Sequence, residues 1–479
     1  MALDRSVLTT WYHDNRARTR AIFDVLADEA YYSQPIALRH PIVFYEGHLP
    51  GFSFNTLVKK GLGGQSIDAR LETLFARGID PHESAANGRG SSDPRDSWPS
   101  RETVRAFADE ADKRVLDALS RGEIEQPGHP RLDRAEAAYS ILEHEAMHQE
   151  TLLYMWHRLP FEQKTRPVAD QLGTRDQRPR PERAAKPASE SEWGWGPTSV
   201  DKGPGTRDQV ASGTVSSREL VEVPGGHVTL GIDREASRFG WDNEHPAASV
   251  DVAPFLIEPR NVTNDAFGEF IEAGGYRDER WWTREDWEWV RKEGVTHPLF
   301  WECPSNWHWR GMFGLIPLPG NWPVYVSHAE ASAYARWRGA RLPTEGEFQR
   351  AAFGSPDGER LHPWGTAEPT DEHGVFGFSD WDPQAVGSHP KGTSAWGIED
   401  LVGNGWEWTS TVFAPFPGFQ PMPSYPEYSA DFFDGEHFVM KGASPATARE
   451  LLRPTFRNWF RPRYPYVYAT FRCVKDGSV

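Results

Sequence analysis

At 479 residues the chain exceeds the roughly 250 to 300 residues at which a single core stops growing, so two domains are expected. Hydrophobic residues at 38% and charged residues at 25% describe an ordinary globular protein and exclude wholesale disorder. A formal net charge of −17 argues against a nucleic-acid partner, because phosphate binding needs clustered Lys and Arg, and points instead to small, neutral or zwitterionic substrates.

The N-terminal MALDRSVLTTWYHDNRARTR mixes charge throughout and lacks a signal peptide's apolar core, and no later run is long enough to span a bilayer, so no membrane association is expected. Apolar positions from Val7 to Leu26 predict a first helix from Arg5 to about Glu29. A second is expected from His40 to Lys60, kinked or interrupted at Pro50 and Gly51 and stopped by GLGG. The third starts at a Ser100 cap, and the fourth runs from Asp133 to about Arg158. Four such helices pack most economically as an up-and-down bundle. This gives a helical domain over 1–160, a Pro/Gly/Arg-rich linker over 161–217 and an α+β domain over 218–479. In the last, Leu220–Leu230 alternates like a strand, and 21 tryptophans, most of them after residue 190, suggest an irregular aromatic-rich fold or a cation-binding pocket. The only cysteines, Cys303 and Cys473, allow neither a disulfide framework nor a thiolate cage, and a cytoplasmic location is expected.

The strongest chemical feature of the first half is LEHEAMHQE, where His144 and His148 lie four residues apart on a helical segment and can face one ion. His48 in YEGHLPGF is the best candidate for a third ligand, with His40 and His157 as spare histidines nearby. Three imidazoles leave coordination positions open for substrate and oxygen, as a catalytic site requires, and they suit zinc as readily as iron. Glu143 and Glu150 are candidate acceptors for the ring N–H groups.

The second half carries WPVYVSHAEASAYARWRGARLPTEGEFQRAA, HPWG, GIEDLVGNGWEWTST and PTFRNWFRPRYPYVYATFRCV. With His48 and HEAMHQE before them, these phrases resemble the ergothioneine-type synthases, nonhaem iron enzymes that attach sulfur to hercynine. The resemblance implies a DinB-like four-helix bundle followed by a formylglycine-generating-enzyme-like (C-type-lectin-like) α+β domain, Fe(II) as cofactor, and hercynine and molecular oxygen as small-molecule partners. On the residues alone, most of these phrases read as structural: Trp364, Trp406, Trp408 and Leu342 as core, Gly403 and Asn404 as turns. The reactive cysteine pair of a true formylglycine-generating enzyme is missing.

By the same resemblance, Asn458 and Trp459 match positions that hold hercynine, a trimethylated betaine suited to an aromatic face; simple core packing is the alternative for Trp459. Two positions depart from the sulfoxide synthases: Met147 stands where they have Gln, and Phe460 where RNWD has an acid that holds the donor's amino group. A donor without an amino-acid head fits better, as in the similar selenoneine synthases, which join hercynine to a selenosugar. Ergothioneine sulfoxide synthesis from γ-glutamylcysteine or cysteine is the alternative, and a metal-dependent DinB-like thiol transferase a further one. Arg101 lies near the family segment with donor-binding arginines, and Tyr425 and Tyr428 are candidates for the active-site tyrosine or for structural roles.

Overall fold

The computed structural model describes residues 3–76, 98–167, 220–303 and 305–477. The first helix, α1 (Arg5–Phe23), is capped by Asp4, whose carboxylate accepts from Ser6 and Val7 N–H. It stops six residues short of the expected end, in a turn at Asp24. The second, α2 (Ile42–Ser53), runs unbroken through Pro50 and passes directly into a π-helical stretch, Phe54–Gly61. The expected interruption at Pro50 and Gly51 is absent, and the wider π turns begin at Phe54, just after them. The expected GLGG stop is present, with Gly63 in the left-handed region at φ 70°. A short α3 (Ala69–Leu74) leads to α4 (Arg101–Arg121), whose Ser100 cap accepts from Thr103 N–H, and α5 (Glu136–Arg158) completes the group.

Helices α1, α2, α4 and α5 pack as a bundle. Its interior holds a charged knot: Arg16 pairs with Asp112 at 2.9 Å and Glu145 at 2.7 Å, and Tyr12 donates to Asp112 at 2.8 Å. Buried charges need this degree of pairing to be tolerated. Of the expected linker, residues 168–217 lie outside the described residues; Phe161–Gln163 forms a 3₁₀ turn and Lys164 bridges back to Leu26.

The segment expected as one strand from Leu220 to Leu230 is two, β1 (Val221–Val223) and β2 (Gly226–Leu230), because Pro224 and Gly225 break the ladder between them. Strand β2 pairs with β3 (Ala248–Val252), and β1 with β4 (Phe255–Ile257). Helices α6 (Asn264–Glu272) and α7 (Arg284–Glu293) precede a meander of β5 (Trp301–Glu302), β6 (His308–Arg310) and β7 (Leu315–Pro317). Helices α8 (His328–Trp337) and α9 (Glu345–Phe353) follow, then the small hairpin β8 (Gly354–Ser355) and β9 (Gly358–Glu359). A four-stranded sheet places β11 (Phe438–Ala443) between β10 (Gly405–Val412) and β12 (Asn458–Phe460), with β13 (Ala469–Thr470) on the other side of β10. The last strand, β14 (Val474–Asp476), joins β4.

The sequence phrases are mostly structural here. In RLPTEGEF, Thr344 and Glu347 form the capping box of α9, and Arg341 grips Glu347 at 2.6 Å. In GNGWEW, Asn404 adopts φ 66° and its amide exchanges hydrogen bonds with the Gln384 backbone at 2.8 and 3.0 Å, while Glu407 forms a fully buried pair with Arg472 at 2.7 Å. Trp406, Trp408 and Leu342 are buried as expected, but Trp364 is only half-buried, stacked between His362 and His373.

Candidate metal centre and substrate cavity

His48 comes from α2, and His144 and His148 from one face of α5, an arrangement that the i, i+4 spacing produces on any straight helix. Their ligand atoms all lie within 4.8 Å of one another, and the ring centres are 4.5 to 5.1 Å apart. Phe52, one turn after His48, stacks on His144 at 3.6 Å, and Phe44, one turn before, stacks on His48 at 4.9 Å. The Phe75 carbonyl accepts from His48 Nδ1 at 2.8 Å, which leaves Nε2 as the ring nitrogen facing the cluster. His48 Nε2, both nitrogens of His144 and Nδ1 of His148 are buried without hydrogen-bond partners. Orphaned buried polar atoms are costly, and three sets converging on one point are what a metal ion would satisfy.

The electrostatics agree with that use. Burial holds His48 down at about 4, and burial followed by neighbouring positive charge holds His144 and His148 well below the ordinary imidazole range. Neutral imidazole is the form that ligates. The acids expected to orient these rings are engaged elsewhere. Glu143 makes a bidentate pair with Arg453 at 2.8 and 2.9 Å, and Glu150 accepts from Trp406 Nε1 at 2.8 Å, Ser444 at 2.7 Å and Thr447 at 3.0 Å. Both acids therefore fasten α5 to the second half of the chain, and the Phe75 carbonyl orients His48 alone.

His144 and His148 open into a cavity whose other walls include Met147, Tyr425, Tyr428, Asn458, Trp459 and Phe460. Trp459 stacks flat on Phe413 at 4.2 Å and meets Tyr428 edge-on at 5.3 Å. Tyr428 is stacked on Trp241 at 3.9 Å, and its hydroxyl donates to Met147 Sδ at 3.3 Å. Tyr425 stands nearer the histidines, its ring 6.1 Å from His144 and 5.1 Å from Phe52. The Ser424 N–H, donating to Glu136 at 3.0 Å, pins this segment to α5. Asn458 and Trp459 are positioned by their buried neighbour Arg457, which pairs with Glu345 at 2.8 Å. Arg101 is not brought into this group; its guanidinium lies over Tyr31 at 4.8 Å and bonds Asp28 at 3.0 Å.

Several cavity residues were not singled out by the sequence. Arg39 and Tyr154 line it, and so does His437, whose Nδ1 sits 2.9 Å from Asp434. No local pattern marks them, because each reaches the cavity only through tertiary packing. Cys303 and Cys473 are unpaired thiols, and no helix among the described residues is long and apolar enough to cross a membrane.

Residues 206–477 match the family model described as sulfatase-modifying factor enzyme 1-like domain, and residues 12–152 match the DinB superfamily. The chain is 42% identical over 251 residues to hercynine oxygenase of Mycobacterium tuberculosis, covering 52% of this chain and 58% of that protein. It is 30% identical to ergothioneine biosynthesis protein 1 of Schizosaccharomyces pombe, covering 93% and 53%, and 28% identical to that of Neurospora crassa, covering 94% and 56%. The chain thus spans little more than half the length of these relatives.

Proposed function

This chain belongs to the sulfatase-modifying factor enzyme 1-like family, and from that premise we propose that it is an iron(II)- and oxygen-dependent enzyme joining hercynine to a selenosugar through a carbon–selenium bond. One observation carries the reading: histidines from the bundle and Asn458, Trp459 and Tyr428 from the second half line a single cavity. Iron(II) held by His48, His144 and His148 would supply the redox chemistry toward oxygen and a template for both reactants.

The protein's own groups do the rest. Trp459, held rigid on Phe413, presents an aromatic face to the quaternary ammonium, a contact worth about 0.5 to 2 kcal/mol, and the Asn458 amide bonds carboxylate or imidazole. Phe44, Phe52 and Phe75 close the far side of the cluster and exclude water from it. Tyr425, with its ring 6.1 Å from that of His144, is the tyrosine nearer the histidines and the one we assign to give or take a proton beside them. Met147 and Phe460 offer no acid for a donor's ammonium, and the Glu150 carboxylate in the same walls is already taken up by Trp406, Ser444 and Thr447, which favours a sugar donor. Two unpaired thiols suit a reducing compartment such as the cytoplasm.

The relatives' names, hercynine oxygenase and ergothioneine biosynthesis protein 1, favour a second reading of ergothioneine-type synthesis, for which the donor we consider is γ-glutamylcysteine or cysteine. The deciding experiment offers hercynine, iron(II) and oxygen with a 1-selenosugar and γ-glutamylcysteine at equal concentration and identifies products by mass. The selenosugar conjugate should predominate; predominant sulfoxide from γ-glutamylcysteine would select the second reading. Turnover without oxygen would instead indicate a thiol transferase.

A further inference from the structure

Next to His148 the cavity has a wall of a different kind, built by Arg39, Tyr154 and Phe460. The Arg39 guanidinium carbon lies 5.8 Å from the ring centres of Tyr154 and Phe460 and 5.4 Å from that of Tyr464. Phe460 stacks on Tyr464 at 5.2 Å and 14°, and Tyr154 meets both rings edge-on at 6.4 Å. Arg39 Nε donates to the Tyr464 hydroxyl at 3.0 Å, which fixes the plane of the guanidinium. A half-buried arginine is thus set in an aromatic box in the wall of the cavity that His144 and His148 also line, contributed by the segment before α2, by α5 and by β12 with the turn after it.

Such a box combines flat apolar faces with a rigid fork of N–H donors. A pyranose has the complementary surface, with axial C–H groups for the rings and hydroxyl oxygens that accept from a guanidinium. An amino-acid donor would also need a carboxylate for its ammonium. The one carboxylate among the described cavity walls, Glu150, already accepts three hydrogen bonds from Trp406, Ser444 and Thr447. Resting on the functional reading above, we propose that Arg39, with Tyr154 and Phe460, forms the subsite that reads the sugar ring of the chalcogen donor. Tyr464 is its positioning residue, acting through the guanidinium it holds.

The test uses full-length, iron(II)-loaded protein without oxygen, titrated calorimetrically with 1-thio-β-D-glucose, γ-glutamylcysteine and hercynine. Hydrogen bonds to a charged donor support a loss of about tenfold or more in thioglucose affinity for Arg39→Met, and a smaller loss for Tyr464→Phe, which deletes only the hydroxyl. Hercynine affinity should hold in both. The KM of the sugar donor should rise while kcat stays near wild type. Unchanged thioglucose affinity in Arg39→Met, or an equal loss for hercynine, overturns the subsite. So does wild-type protein that prefers γ-glutamylcysteine and loses it in Arg39→Met, which would make the box a carboxylate clamp. Wild-type protein that binds thioglucose through Arg39 but not hercynine would keep the sugar subsite and sink the functional reading instead.

Discussion

His48 shows how much of a metal site is set outside its ligands. Its Nδ1 is committed to the Phe75 carbonyl, so the chain, not the metal, chooses the coordinating nitrogen. Replacing His48, His144 or His148 by Ala should abolish stoichiometric iron, measured by elemental analysis, while far-UV circular dichroism stays unchanged, because the bundle's helices are held by their other packed residues. Full iron in His48→Ala would move the third ligand elsewhere. The two tyrosines should separate as well. Tyr425→Phe should lower kcat by about two orders of magnitude or more, the scale of a lost general acid, at unchanged iron content. Tyr428→Phe, losing only its contact to Met147, should be much milder; equal effects would reject Tyr425 as the proton donor.

At the scale of elements, α2 with its π continuation is the part least legible in the sequence. Pro50 and Gly51 read as a break, yet Gly47 and Gly51 are where Phe75 and Phe107 press against the helix. A Cβ on Gly47 would sit 2.5 Å from the Phe75 ring. Gly47→Ala should therefore shift Phe75 and its carbonyl and weaken iron binding by about 10- to 100-fold, the usual range for a lost orienting contact, with all three ligands intact. Wild-type affinity would show that Phe75 has no such role.

The N-terminus of α8 carries a separate pH dependence. His328 is packed at 3.8 Å on Phe438 and at 5.5 Å against Trp408, and burial pushes it down to about 3. The unfolded chain takes up that proton below about pH 6.5, so between these values the unfolded state binds more protons and stability falls as pH falls. From pH 7 to 5, urea unfolding should show wild type losing about 2 kcal/mol more than His328→Phe. Parallel losses would mean that His328 titrates normally.

Across the whole molecule, local patterns were readable and convergences were not. The i, i+4 histidines, the Ser100 cap and the capping box of RLPTEGEF follow from spacing along one element. The roles of Glu143, Glu150, Arg39 and the Glu345–Arg457 pair depend on partners 112 to 425 residues away, a separation at which sequence period carries no signal. The contacts of Glu143, Glu150 and Arg39 also fasten the two halves. Glu150→Ala would remove the acceptor of the buried Trp406 and Ser444 donors, at about 1 to 3 kcal/mol each. It should weaken hercynine binding while the histidine cluster keeps its iron; a variant that binds hercynine as wild type does would show that the two halves dock without this contact.

The claim that one cavity serves metal and hercynine together is tested most directly by the electron paramagnetic resonance of the nitric oxide adduct of iron(II)-loaded protein, recorded with and without hercynine. Hercynine should change the spectrum of wild type. In Trp459→Ala the nitric oxide signal should remain and the hercynine-dependent change should vanish. A wild-type spectrum indifferent to saturating hercynine, or a change that survives intact in Trp459→Ala, would contradict the shared cavity.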